Sequence, residues 1–162
     1  MEIQQLTEKH WPEVSAIYAA GLATGNANFS LQVPGWEEWD NAHLKSCRLV
    51  MTDGGKVLGW AALTAISDRC VYAGVAEVSV YVDEDARGKG IGRKLLNALV
   101  DESEKDNLWT LEARIFAENL ASIKIHQANG FRIVGHRERI GKMNGVWRDT
   151  VLLERRSNKA GT

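Results

Sequence analysis

The chain has 162 residues, 44% of them hydrophobic and 25% charged, with only two prolines, which is the make-up of a single folded domain and excludes collagen-like, low-complexity and wholly disordered classes. Twenty Lys and Arg against twenty-one Asp and Glu leave a formal charge of -1, so no global positive field draws the protein onto nucleic acid or an anionic membrane. An anionic ligand must therefore be met locally.

In chain order, Ile3 to Leu6 reads as an opening strand. Thr7 is placed to cap a helix in which Trp11, Val14, Ile17, Tyr18 and Leu22 recur at helical spacing. Gly25-Asn26-Ala27-Asn28 ends it, and Pro34-Gly35 opens a second helix from about Trp36 to Ser46. Arg48 to Thr52 and Lys56 to Ile66 are apolar strands joined by Asp53-Gly54-Gly55, the residue types that a tight hairpin turn requires. Gly74 to Val82 is a valine-rich strand ending at Asp83-Glu84-Asp85. Ile91, Leu95, Leu96, Leu99 and Val100 then mark an amphipathic helix. Thr110 to Ile115 is a strand, Asn119 caps a helix running to about Asn129, and Gly130 stops it. Phe131 to Ile140 and Arg148 to Arg155 are the last strands, around a Gly141 to Gly145 loop. The polar tail over residues 157–162 is expected to fray. Predicted, then, is one α/β domain over residues 1–156, with hairpins on one side and strand-helix units on the other.

The two cysteines, Cys47 and Cys70, cannot build a disulfide framework, and no Cys-x-x-Cys or His-x-x-x-His spacing points to a metal. The polar N-terminus shows no leader pattern, and the longest apolar run, Val57 to Ala62, falls far short of the about 20 residues of a membrane span. The expected setting is the cytoplasm, with reduced thiols.

The segment richest in chemistry runs from Val78 to Gly92. A strand enters a turn holding Gly88, Gly90 and Gly92 among Arg87, Lys89 and Arg93, and the turn opens directly onto a helix. The first N–H groups of a helix have no intrahelical partner, its dipole favours an anion, and glycines let a pyrophosphate approach the main chain. The spacing matches neither Gly-x-x-x-x-Gly-Lys-Ser/Thr nor Gly-x-Gly-x-x-Gly.

Arg87-x-x-Gly90-x-Gly92 instead resembles the signature of the GNAT superfamily of acyl-CoA-dependent N-acyltransferases. Asn119-x-x-Ser122 followed by His126-x-x-x-Gly130-Phe131 resembles the second half of that superfamily's acetyl-CoA site. The resemblance implies a mixed, mostly antiparallel sheet of about six or seven strands flanked by about four helices. Within the superfamily the chain is similar to the phosphinothricin and methionine sulfoximine acetyltransferase group. The carrying residues are Asn28-Phe29, Ala76 to Val82, His126 before Gly130-Phe131, and Gly141-Lys142-x-x-Gly145-x-Trp147-x-Asp149.

The resemblance implies acetyl-CoA as cosubstrate, with no metal. Its pyrophosphate would lie on Arg87, Gly88, Lys89, Gly90, Ile91, Gly92 and Arg93. Its pantetheine arm would pair with the main chain of Val80, Tyr81 and Val82, while Asn119 and Ser122 approach from the other side. Alternation puts Glu77 on one strand face with Ser79 and Tyr81, where a carboxylate could take the proton an ammonium must lose before acyl transfer. His126 stands where many GNAT enzymes carry a tyrosine that protonates the departing thiolate; Tyr81 and Tyr72 are the other candidate acids. Phe29, Arg69 and Tyr72 would line the acceptor site, with Arg69 able to clamp a carboxylate or phosphinate. The expected activity is direct N-acetylation of the α-amine of a small amino acid or analogue, and the expected assembly is a homodimer. A protein or peptide amine as acceptor and a non-catalytic acyl-CoA sensor are the competing readings, and Glu77 argues against the sensor.

Overall fold

The computed structural model describes residues Met1–Thr162. Seven strands, β1 Glu2–Gln5, β2 Leu49–Asp53, β3 Lys56–Ala65, β4 Val75–Val82, β5 Thr110–Phe116, β6 Arg132–Met143 and β7 Val146–Arg156, form one sheet in the order β1-β2-β3-β4-β5-β7-β6. Helices α1 Trp11–Ala23, α2 Trp36–Ala42, α3 Ile91–Lys105 and α4 Leu120–Ala128 cover it. This is the mixed, mostly antiparallel sheet with four helices that the resemblance implies.

Strand alternation divides the interior into two cores. On one face Leu49, Met51, Ala61, Leu63, Ala76, Val78, Leu111, Ala113 and Leu153 meet the apolar stripe Ile91, Leu95, Leu96 and Leu99 of α3 and Ile123 of α4. On the other, Val50, Val57, Trp60 and Ala62 meet Val14 and Ile17 of α1 and Trp39 of α2. The first core is aliphatic; the second is an aromatic stack in which Trp60 lies parallel to Tyr81, with centroids 4.9 Å apart. β3 contributes to both, which is why it reads as a nearly unbroken apolar run.

Every neighbouring pair is antiparallel except β4 and β5. That parallel pair is bonded only where Val75–Glu77 face Thr110–Glu112. Beyond Glu77 the strands part, and Val78 to Val82 keep their β3 partners while their other edge has no strand beside it. The sheet therefore opens into a V whose apex lies at Glu77 and whose mouth lies at Val82 and Phe116.

Several boundaries differ from the sequence reading. The first strand is Glu2–Gln5, and a 3₁₀ turn over Glu8–His10 separates Thr7 from α1. α2 stops at Ala42. β6 continues through Gly141 to Met143 and turns at Asn144-Gly145, because bulges near Gly135 and Gly141 absorb the extra residues that break its alternation. The tail is not frayed: Ser157 and Ala160 are buried, the Ser157 hydroxyl bonds Glu104, and Arg156 donates to the carbonyls of Ala160 and Gly161. Polarity alone could not show that these carbonyls have a guanidinium to accept from.

Candidate active site

The glycine turn follows from local chemistry. Gly88 and Gly90 take φ of 79° and 75°, a region other residues enter only at a cost. An added Cβ at either would meet no atom of the protein within 4 Å, so their bare faces open outward. The N–H groups of Gly88, Lys89 and Gly90 have no partner, and the first helical bond of α3 is Lys94 N–H to the Gly90 carbonyl, at 3.1 Å. Arg87, Lys89, Arg93 and Lys94 enter no ion pair. By contrast Asp83, at the end of β4, turns away to accept from the Asp85 N–H and to pair with Lys56. Unpaired amides and uncommitted cations at one helix N-terminus suit a pyrophosphate.

The V runs from this turn down β4. The β3–β4 register is unbroken from Gly59↔Val82 to Ala65↔Ala76, so the predicted faces hold: Val80 and Val82 pack toward α3, while Glu77 and Tyr81 look to the α1 side. Glu77 sits at the apex, beside Glu112 in the parallel register. Its carboxylate is half-buried, 3.6 Å from Arg114 Nε, while Arg114 Nη2 lies 3.7 Å from Glu112. Burial raises the Glu77 pKa, Arg114 opposes the rise, and Glu112 adds to it.

Nearer the mouth, the segment after α1 folds over the same face. Asn28 donates to the Tyr81 hydroxyl at 2.8 Å. Phe29 meets Phe116 edge-on at 4.9 Å and lies against Gly141, where a Cβ would come within 2.7 Å of the ring. Arg148 ties the arrangement together. It donates to the Gly25 carbonyl and to Asn26 Oδ1, each at 2.7 Å, reaches Glu118 at 3.3 Å, and stacks 3.9 Å from the Phe116 centroid. Asn119 caps α4 by accepting from the Ser122 N–H, and its amide donates to the Asn26 carbonyl. It thus anchors the loop after α1 as well as the helix. The Ser122 hydroxyl is half-buried and has no partner.

His126 is buried against Phe131, and its Nδ1 lies 2.7 Å from the Ser122 carbonyl. A carbonyl only accepts, so Nδ1 carries the proton and Nε2 the lone pair. Burial also lowers the pKa of this ring. At neutral pH Nε2 can accept a hydrogen bond but has no proton to give. Tyr81, in contrast, keeps its proton, because burial raises its pKa strongly. Arg69 lies 5.7 Å over the Tyr72 ring in the exposed β3–β4 loop, without a carboxylate partner. His136 lies 2.8 Å from Asp149 across the β6–β7 pair.

A family model described as acetyltransferase (GNAT) domain matches residues 40–152. The chain belongs to the GNAT acetyltransferase family. A phosphinothricin N-acetyltransferase of Alcaligenes faecalis is 35% identical over 93% of this GNAT chain and 80% of its own. An L-methionine sulfoximine/L-methionine sulfone acetyltransferase of Pseudomonas paraeruginosa is 34% identical, over 88% and 87% of the two chains. Among solved structures, a GNAT phosphinothricin acetyltransferase from Sinorhizobium meliloti in complex with AcCoA superposes with TM-score 0.88 at 26% identity, covering 99% of this chain and 90% of that one. A ribosomal-protein-alanine N-acetyltransferase from Brucella melitensis gives TM-score 0.89 at 30% identity, covering 97% and 100%.

Sequence reasoning passed over four residues that this GNAT site brings together. Glu112, Arg114 and Phe116 share the α1-side face of β5, as their alternation with buried Leu111, Ala113 and Ile115 could have shown. Arg148 carries no local signal, since its partners lie about 120 residues away along the chain, at Gly25 and Asn26.

Proposed function

We propose that this N-acetyltransferase moves the acetyl group of acetyl-CoA directly onto the α-amine of a small amino acid or an analogue such as phosphinothricin or methionine sulfoximine. The observation that carries this reading is the single line from the glycine turn, along the unpaired edge of Val80 to Val82, to a half-buried carboxylate at the apex. Arg87, Lys89, Arg93 and the amides of Gly88 to Gly92 would hold the pyrophosphate, and the free β4 edge would pair with the pantetheine arm.

Glu77 takes the proton from the acceptor ammonium, directly or through one water, and its raised pKa brings it closer to matching that task. The amine then attacks the thioester carbon, and the thiolate leaves. No acyl-enzyme intervenes: Cys47 is buried, with its thiol pushed up to about 11, and Cys70 lies in the exposed β3–β4 loop. His126, fixed with its lone pair at Nε2, orients rather than protonates, and Tyr81, which keeps its proton, is the candidate proton donor on the Glu77 face. Phe29, Arg69 and Tyr72 shape the acceptor side, with Arg69 free to take an anionic group.

The likeness to the Brucella ribosomal-protein-alanine enzyme favours a second acceptor class, a protein N-terminal amine. A thiol-release assay with acetyl-CoA against L-phosphinothricin, L-methionine sulfoximine, the standard amino acids and an alanine-initiated peptide decides between them. Turnover with free amino acids above all others supports the reading; turnover with the peptide alone moves the acceptor to proteins; CoA binding with no turnover leaves a sensor. A homodimer is supported by the exposed apolar strip Ile133, Val134, Ile140, Val146 and Trp147 on the β6–β7 hairpin, and sedimentation tests it.

A further inference from the structure

Glu77 does not stand alone at the apex. Parallel pairing sets Glu112 directly beside it, and two carboxylates held side by side cannot both ionise freely. Arg114 is the next residue of β5 on that face, and its guanidinium spans the pair with different nitrogens, Nε toward Glu77 and Nη2 toward Glu112. It is about half exposed, so neither contact is a buried structural ion pair. We propose that Arg114 is a positioning residue for the acyl transfer, holding Glu77 ionised and aimed along the V, with Glu112 as its counterweight. The inference rests on Glu77 being the base.

The remaining surroundings leave this role to Arg114. Across β3 the partner of Glu77 is Thr64, which does not titrate. On β7 Glu154 stands opposite Glu112 but is paired with Arg132. In the loop before β4, Arg69 lies over Tyr72, and Tyr81, farther up the strand, keeps its proton. Arg114 is therefore the cation that reaches Glu77, and Glu112 the neighbouring anion; burial sets the upward direction of the Glu77 shift, Arg114 opposes it and Glu112 adds to it.

The test is a carboxyl-carbon NMR titration of Glu77 in the free enzyme, run beside the pH profile of kcat/KM at saturating acetyl-CoA. Arg114→Gln is expected to move both the Glu77 titration and the acid limb of the profile up by on the order of one pH unit, with screening keeping the shift at the low end. Glu112→Gln should move both down, an opposite sense that misfolding cannot produce, and Arg114→Lys should restore most of the shift. Loss of rate in Arg114→Gln with an unmoved titration would overturn the inference and leave Arg114 a structural residue, as would parallel shifts in the Gln variants. Failure of the parent reading shows differently: Glu77→Gln would then keep both its rate and its acid limb, while the NMR titration still reports whether Arg114 couples to Glu77.

Discussion

The glycine turn and the acceptor face are built in opposite ways. The turn is one contiguous run, Arg87 to Arg93, in which the amides of Gly88, Lys89 and Gly90 have no partner in the protein and the cations form no ion pair. The proposed acceptor face draws Asn28, Phe29, Glu77, Tyr81, Glu112, Arg114, Phe116 and Arg148 from four places in the chain and ties them together by hydrogen bonds, ion pairs and ring contacts. An anion site needs only backbone and positive charge, which a short segment supplies. Proton abstraction and acceptor selection need side chains held at fixed separations, which only packed elements supply. Changes in the turn should therefore act on one binding step, whereas changes on the face should spread between rate, acceptor affinity and stability.

The largest effect that sharpens this contrast is expected from Glu77→Gln. Steady-state kinetics should show kcat falling by on the order of 10² to 10⁴ with acetyl-CoA affinity nearly intact. The same variant should be more stable at pH 7. Burial holds the folded pKa of Glu77 above its ordinary value of 4.5, so the native carboxyl favours its proton, and stability falls as pH rises from 4.5 through the folded value. Thermal melting should show a gain at pH 7 that vanishes near pH 4.

Next, Gly90→Val puts a β-branched residue at φ 75°. A strain of about 1–3 kcal/mol, relieved by distorting the turn, should weaken CoA binding by about ten-fold or more in calorimetry, while kcat at saturation stays close to the parent. An equal loss in acceptor affinity would break the separation between the two regions.

Arg148→Ala strips two charged hydrogen bonds from the loop after α1 and the ion pair with Glu118. We expect about 2 kcal/mol of lost stability in denaturant titration and about a ten-fold rise in acceptor KM, with the acetyl-CoA KM unchanged. A smaller effect concerns acid. His126 is held neutral, its folded pKa below 6.5, so its contribution is complete above that value and is lost as pH falls through the lower folded value. Replacing His126 by Gln should flatten the acid side of the melting-temperature curve. Smallest is Arg69→Ala, an exposed cation worth roughly 1 kcal/mol, or about five-fold in KM for the two amino-acid analogues and none for an uncharged primary amine.

The amino-acid sequence by itself determined the periodic elements and the turn. Gly54-Gly55, the stripe of α3 and the Asn119 cap act within a few residues, and the structure keeps each of them. The glycine and cation pattern before Ile91 is legible for the same reason, since a helix N-terminus needs no distant partner to bind an anion. Glu77 was legible too, as a lone carboxylate in a valine strand. What only the tertiary structure decided is everything set by a meeting of distant segments. The early parting of β4 from β5 after Glu77, while β5 stays bonded to β7 along its whole length, is a matter of inter-strand register. The neutral tautomer of His126 depends on its bond to the Ser122 carbonyl and on burial against Phe131. The firm tail depends on Glu104 and on Arg156 turning back to its carbonyls. The Glu77–Arg114–Glu112 cluster depends on a three-residue stretch of parallel register. Hydrophobic period and backbone geometry are short-range and written residue by residue, whereas register and charge contact arise only when strands far apart in sequence are bonded side by side.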